Sequence, residues 1–307
     1  MTSDTNDNGG VDGARALRLA ASVGRLHIVA IAAMGTFTFG WLFTGRYLWA
    51  LAAICALDWF VVNLLNRVVD LEEDRLNHIT GADFAARHRR AILVIGFGLL
   101  FGSFALTHMV WPELTPLRVA YHALGLAYNW PLLPGRRRIK QLYFWKNTAS
   151  ATGFVITVFL FPLSQVYSGK AAMIDGVTGW TVLLALLFFV LFELSYEAIY
   201  DLRDAPGDAA AEVRSYAVVH GERGAQRIID ALLLGSMLVL GAGFAAGALP
   251  WRLFIMIFAP ALQLVLYKRF VRRGITARDC VGLTWLGAAL LLTYHLWVAA
   301  GLPGAEL

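Results

Sequence analysis

In the segment NLLNRVVDLEEDRLN, Asn63, Asn66, Asp70 and Asp74 follow one another at spacings of three, four and four residues. On a continuous helix running on from Tyr47, that spacing places all four side chains on one face. A second stripe lies in FELSYEAIYDLRDAPGD, where Glu193, Glu197, Asp201 and Asp204 are spaced by four, four and three, with Asp208 following a Pro-Gly turn. Carboxylates at this density need a cation among them. Hard oxygen donors with positions left for water and phosphate are what Mg2+ takes. Glu193 and Glu197 fall within or at the edge of an apolar run, where an unpaired charge costs at least about 2.5 kcal/mol, so they are expected to face a bundle interior and serve a site.

The elements that carry these stripes read as membrane helices. The 307 residues are 58% hydrophobic and only 15% charged, which excludes an ordinary soluble domain. Apolar runs able to span, or nearly span, a hydrocarbon layer of about 30 Å occur at 24–44, 47–68, 91–111, 116–131, 145–167, 178–200, 225–248, 251–267 and 279–300, nine segments in all. The fold class expected is an all-α integral membrane protein. The opening MTSDTNDNGGVDG is polar and acidic, which predicts a polar tail over 1–20, no secretory signal, and one transmembrane domain over 21–307.

The net charge of +5 is explained by placement rather than by a nucleic-acid partner. With the amino terminus inside, all but four of the 26 Lys and Arg fall on the cytoplasmic side; Arg46, Arg118, Lys170 and Arg252 remain for the other. The expectation is a multi-pass protein of the cell inner (plasma) membrane, amino terminus cytoplasmic and carboxyl terminus outside. The longer connections, at 69–90, 132–144 and 201–222, lie on the cytoplasmic side with both acidic stripes. On this scheme Arg136, Arg137, Arg138 and Lys140 act first as a topology determinant, with the gathering of diphosphate as the alternative role. Cys55 and Cys280 are too far apart in sequence and too apolar in context for a Cys-based metal site, and the seven histidines lack zinc-ligand spacing.

The stripes carry a resemblance. NRVVDLEED is similar to the Asn-Asp-x-x-Asp-x-x-x-Asp motif of the UbiA superfamily of intramembrane prenyltransferases. YDLRDAPGDAAAEVRSYAVVHG resembles that family's second motif, with Asp201, Asp204, Gly207, Asp208, Ser215 and Gly221 in register. LGLAYNWPLLPGRRRIKQLYFWKN resembles the exit of the fourth helix, where Tyr128 and Pro131 match a Tyr-x-x-Pro element and Lys146 opens the next helix. The resemblance implies a helical bundle with a cytoplasm-facing active-site cavity. In it Asn66, Asp70 and Asp74 oppose Glu197, Asp201, Asp204 and Asp208 and hold Mg2+ ions that grip a prenyl diphosphate. It further implies catalytic roles for Asp70, Asp74, Asp201 and Asp204, and substrate contacts from Tyr128, Lys146 and Tyr200.

The chain departs from the family pattern at Arg67, where an Asp is usual, at Leu71, where an Arg is common, and at FAARHRRAIL, which replaces an Arg-Pro-Leu loop. Arg67 lies about 100° off the acidic face. It is read either as a diphosphate contact that lowers the number of bound Mg2+ ions or as a side chain snorkelling to the interface; Lys146 has the same two readings. The activity implied is transfer of a prenyl group from its diphosphate to an unidentified acceptor. A terpene cyclase on the same scaffold is the alternative, and a cation-coupled transporter the more distant one.

Overall fold

A computed structural model describes residues 19–76 and 79–302, together with Gly13. The predicted tail over 1–20 therefore lies almost wholly outside the described residues. Helix accounts for nearly everything described, and the order is α1 (Leu26–Thr44), α2 (Trp49–Arg67), α3 (Leu71–Leu76), α4 (Ala82–Arg87), α5 (Arg89–Val110), α6 (Thr115–Asn129), α7 (Tyr143–Phe154), α8 (Phe161–Tyr167), α9 (Gly179–Ala210), α10 (Tyr216–Ala245), α11 (Trp251–Phe254), α12 (Phe258–Arg273) and α13 (Ala277–Ala299). A π-helical stretch, Val155–Leu160, joins α7 to α8, and a 3-10 turn, Ile255–Ile257, joins α11 to α12.

Among the described residues, eight helical units are long and apolar enough to cross a membrane: α1, α2, α5, α7 to α8, α9, α10, α11 to α12, and α13. The apolar run at 116–131 forms α6, whose 15 residues reach about 22 Å at 1.5 Å per residue, short of the hydrocarbon thickness. Its ends are set by Pro112–Leu114 before it and by Trp130–Pro131 after it, where Trp130 is extended as a residue before proline prefers.

Lipid tails are as apolar as leucine, so close packing and buried polar bonds hold such a bundle together. Gly96 and Gly125 let α5 and α6 settle onto α2: a Cβ at Gly96 would lie 2.6 Å from Leu65 Cδ2, and one at Gly125 2.8 Å from Val62 Cγ1. The same three helices share a buried charge pair. Arg118 donates to Asp58 through Nη2 at 2.5 Å and Nε at 2.9 Å, to Thr107 Oγ1 at 2.8 Å and to Ser103 O at 3.1 Å. Arg118 is therefore a helix-to-helix staple inside the bundle rather than a residue of an outer connection; both it and Asp58 are 1% exposed.

Two predicted continuities are corrected. The helix carrying the first stripe is not continuous from Tyr47 through Asp74. It ends at Arg67, turns through Val68–Asp70 and restarts at Leu71. Two adjacent β-branched residues, Val68 and Val69, weaken the helix there, and the contacts of Asp70 described below reward the break. Conversely, the second stripe does not stop at a Pro-Gly turn: α9 runs through Pro206 and Gly207 to Ala210. Pro206 is exposed, so the carbonyl left without its N–H partner can reach solvent, and bonds to one lysine from Asp201 and Asp208 hold the last two turns in register.

Candidate active site

The first stripe lies at the end of α2 and in α3. Asn63, Asn66, Asp70 and Asp74 are all buried, and Asn63 Nδ2 is spent on its own helix, donating to Trp59 O at 2.8 Å. The α3 segment packs against α9, which brings the first stripe beside the second. On the facing side α7 packs against α9, and the 3-10 turn Ile139–Gln141 packs against α6 and α7. Stripe one, stripe two and the 138–150 segment therefore meet at one end of the bundle.

Nearly every stripe carboxylate there is matched by a cation or a neutral donor. Lys140 Nζ bonds Asp70 Oδ1 at 2.7 Å and also Glu73, which Arg138 Nη1 reaches at 2.8 Å. Arg67 Nη1 bonds Asp74 Oδ2 at 2.5 Å while its Nη2 donates to Ser22 O at 2.7 Å, and Arg25 stands 3.8 Å from the other Asp74 oxygen. Across the cleft, Lys146 Nζ bridges Asp201 Oδ1 at 2.5 Å and Asp208 Oδ2 at 2.7 Å. Asn147 Nδ2 donates to Asp201 Oδ2 at 2.9 Å, and Ser150 Oγ donates to Glu197 Oε1 at 2.7 Å. On α7, Ser150 lies next to both Lys146 (i, i+4) and Asn147 (i, i+3), and all three reach α9. Burial pushes the Asp70 carboxyl above the usual carboxylate range, with Lys140 pulling it back.

Several predicted positions sit elsewhere than expected. Arg67 is 4% exposed and clamped to Asp74, so it does not snorkel to the interface, and Lys146 is equally turned inward. Lys140 is buried on Asp70 rather than free as a topology determinant, because the short turn at 139–141 folds it under α6. Tyr128 is partly buried and close enough to feel the charges of Lys146, Glu197, Asp201 and Asp208. Tyr200, by contrast, faces α13: its hydroxyl meets Thr284 Oγ1 at 2.9 Å, and the Arg203 guanidinium lies 4.8 Å over its ring. Asp204 is held by that same Arg203, one residue away, on the flank of α9 nearer Cys280. Tyr196 likewise turns to α13, donating to Leu283 O at 3.2 Å.

Sequence reasoning missed Arg25, Asn147 and Ser150 as parts of this cluster, and gave Arg138 a diphosphate-gathering role only as the second reading of its basic run. Arg25 has φ 46°, a left-handed backbone uncommon outside glycine and asparagine, but nothing in a linear pattern shows that. Ser215 and Gly221 of the second motif have structural explanations. The Ser215 hydroxyl accepts from Val218 N to cap α10, and Gly221, at φ 68° and ψ 172°, supplies a kink that a residue with a Cβ resists.

The donor types fit a hard divalent cation: they are all oxygens, and Asn66 Oδ1 is buried with no hydrogen-bond partner. Among the described residues, however, no three carboxylate, histidine or cysteine side chains converge on one point. The oxygens form two half-sites, Asn66 with Asp70 and Asp74, and Asp201 with Asp208, whose charges are balanced internally by lysine and arginine.

Solved structures share this fold. A UbiA homologue from Archaeoglobus fulgidus bound to GPP and Mg2+ is 14% identical with a TM-score of 0.65, over 92% of this chain and 99% of that one. The same homologue bound to DMAPP and Mg2+ gives 15% identity and a TM-score of 0.64, over 91% and 98%. The apo structure of a UbiA homologue from Aeropyrum pernix K1 gives 17% and 0.61, over 89% and 98%. No curated protein sequence matches the chain. The model of the UbiA prenyltransferase family matches residues 26–281, and with the motifs of that stretch gathered at one end of a bundle of the same fold, the chain belongs to that family.

Proposed function

We propose that the protein is a Mg2+-dependent intramembrane prenyltransferase, carried by one membrane domain over residues 21–307, that moves an isoprenoid group from its diphosphate to an acceptor. The observation that supports this reading most is the packing of α3 on α9, which sets two carboxylate half-sites and a group of lysine and arginine side chains together at the end where both motifs lie. We place that end at the cytoplasmic face, in keeping with the distribution of basic residues.

In this reading the donor diphosphate enters among Arg25, Arg138, Lys140 and Lys146. These cations exchange a carboxylate partner for phosphate oxygens, and the carboxylates of Asp70, Asp201 and Asp208 together with Asn66 Oδ1 become available as metal ligands. Those oxygens would hold Mg2+, which would supply Lewis-acid neutralisation of the charge on the leaving diphosphate. The allylic carbon–oxygen bond breaks with its electron pair staying on the diphosphate, and positioned lysines stabilise that charge as it develops. Tyr128, beside Lys146, offers a ring face to the allylic cation. The acceptor then donates an electron pair to that carbon and gives up a proton. Asp74 has a different part: bonded to Arg67, it anchors the start of α3 more than it coordinates metal. Asp204 and Tyr200, on the α13 flank, position the end of α9.

The test incubates purified protein and Mg2+ with DMAPP, GPP and longer prenyl diphosphates, with and without a membrane-lipid extract, and analyses products by mass spectrometry. Diphosphate release with a new prenylated mass that requires the extract is the expected result. A hydrocarbon product formed without any acceptor points to the cyclase alternative. No diphosphate release from any donor refutes both.

A further inference from the structure

A groove of about 540 Å³ opens between α10 and α12 at the motif-bearing end of the bundle. From α12 it is faced by Leu264 and by Val265, Lys268, Arg269 and Arg272, the last four an i, i+3, i+4, i+7 stripe, with Asp230 and Leu234 one turn apart on α10. Within this group Lys268 is neutralised by Asp230 at 2.6 Å, and the Tyr267 hydroxyl also bonds Asp230. Beyond the groove Arg273 is neutralised by Asp279 at 2.6 Å. Arg269 and Arg272 are exposed and have no ion pair or hydrogen bond among the described residues. Two uncompensated guanidinium groups thus stand at the mouth of the groove.

Its walls are apolar and open to the bilayer: Leu234 is 55% exposed and Val265 57%. One turn deeper the exposed track continues through Leu238 on α10 and through Leu262 and Phe258 on α12. A basic mouth at headgroup depth, continuous with an apolar track about two helical turns long, matches a ligand with an anionic head and a hydrocarbon tail. A free phosphate leaves the track unused. Between the groove and the candidate active site stands α9, on which α10 packs.

We propose that this groove binds an anionic phospholipid of the surrounding bilayer, with Arg269 and Arg272 on its phosphate and an acyl chain laid along Leu234, Leu238 and Val265. The same basic excess that orients a membrane protein attracts anionic lipid to that leaflet; here the groove turns a diffuse attraction into a site.

Native mass spectrometry of the full-length protein in a neutral detergent tests this, with phosphatidylglycerol, phosphatidylcholine or inorganic phosphate added. Phosphatidylglycerol adducts are expected to outlast phosphatidylcholine adducts, and millimolar phosphate is expected not to displace them. At the usual contribution of a basic residue near an anionic surface, R269Q/R272Q should weaken phosphatidylglycerol binding about thirtyfold. V265W, which fills the groove and leaves both arginines, should weaken it as well, and serves alone if the double variant does not fold. Equal retention of the two lipids, displacement by phosphate, or full phosphatidylglycerol binding in either folded variant overturns the proposal.

Discussion

Removing the Arg67 side chain isolates the feature in which this chain departs most from the family motif. The guanidinium makes a 2.5 Å bond to Asp74 and a 2.7 Å bond to the Ser22 carbonyl, with the two side chains 4% and 7% exposed. Deleting one partner of a buried pair typically costs about 3–5 kcal/mol, because the other charge is left without compensation. Arg25 remains 3.8 Å from Asp74 but is 30% exposed and more screened, so we take the lower end, about 3 kcal/mol for Arg67→Ala. For a chain of this size that corresponds to a fall in Tm of about 6 °C, measured by the fluorescence of the ten tryptophans during heating in detergent. R67A/D74A leaves no orphaned charge and should recover more than half of the loss. Freed of Arg67, Asp74 can ligate metal, so added Mg2+ should raise the Tm of R67A more than that of the wild type. Because Arg67 anchors the start of α3 beside Asp70, donor use should also fall in R67A. Wild-type Tm and wild-type donor kinetics in R67A would refute the clamp, and additive losses in R67A/D74A would show that the two residues do not act as a pair.

Asp70→Ala and Asp201→Ala should each lower turnover at saturating Mg2+ by at least about 100-fold while the protein remains extractable and folded in detergent; near wild-type rates in both remove the two-motif mechanism. Arg118→Met leaves Asp58 buried without its guanidinium and should destabilise by about 3–5 kcal/mol, read as loss of folded protein on size exclusion, whereas Asp58→Leu combined with Arg118→Met should regain most of it. A carboxyl-terminal tag should label only from outside the cell if the amino terminus is cytoplasmic; labelling only from the cytoplasm excludes the predicted orientation or the count of nine spans.

Much of this molecule is written in local patterns. Hydropathy over windows of about twenty residues is sufficient to mark the spans, because the bilayer imposes one length and one polarity on every crossing segment; the run at 116–131 forms the shorter α6, of 15 residues, which nearly spans. The four-residue spacing of Asn66, Asp70 and Asp74, and the four- and seven-residue spacing of Glu197, Asp201 and Asp208, mark one face of each element for the same local reason. That spacing survives the break at Val68–Asp70 and the passage of α9 through Pro206, neither of which a periodicity can register. What the linear pattern could not contain is the partner of each carboxylate. Lys140 reaches Asp70 across 70 residues, Lys146 reaches Asp201 across 55, and Arg67 reaches Asp74 only because the chain bends between them. In sequence Lys140 belongs to a basic run and Arg67 to the end of a span, both adequately explained by membrane topology. Only the tertiary structure decides that these cations are buried against the motif carboxylates, because ion pairing in a low-dielectric interior depends on distances of a few ångströms between elements that the sequence leaves far apart.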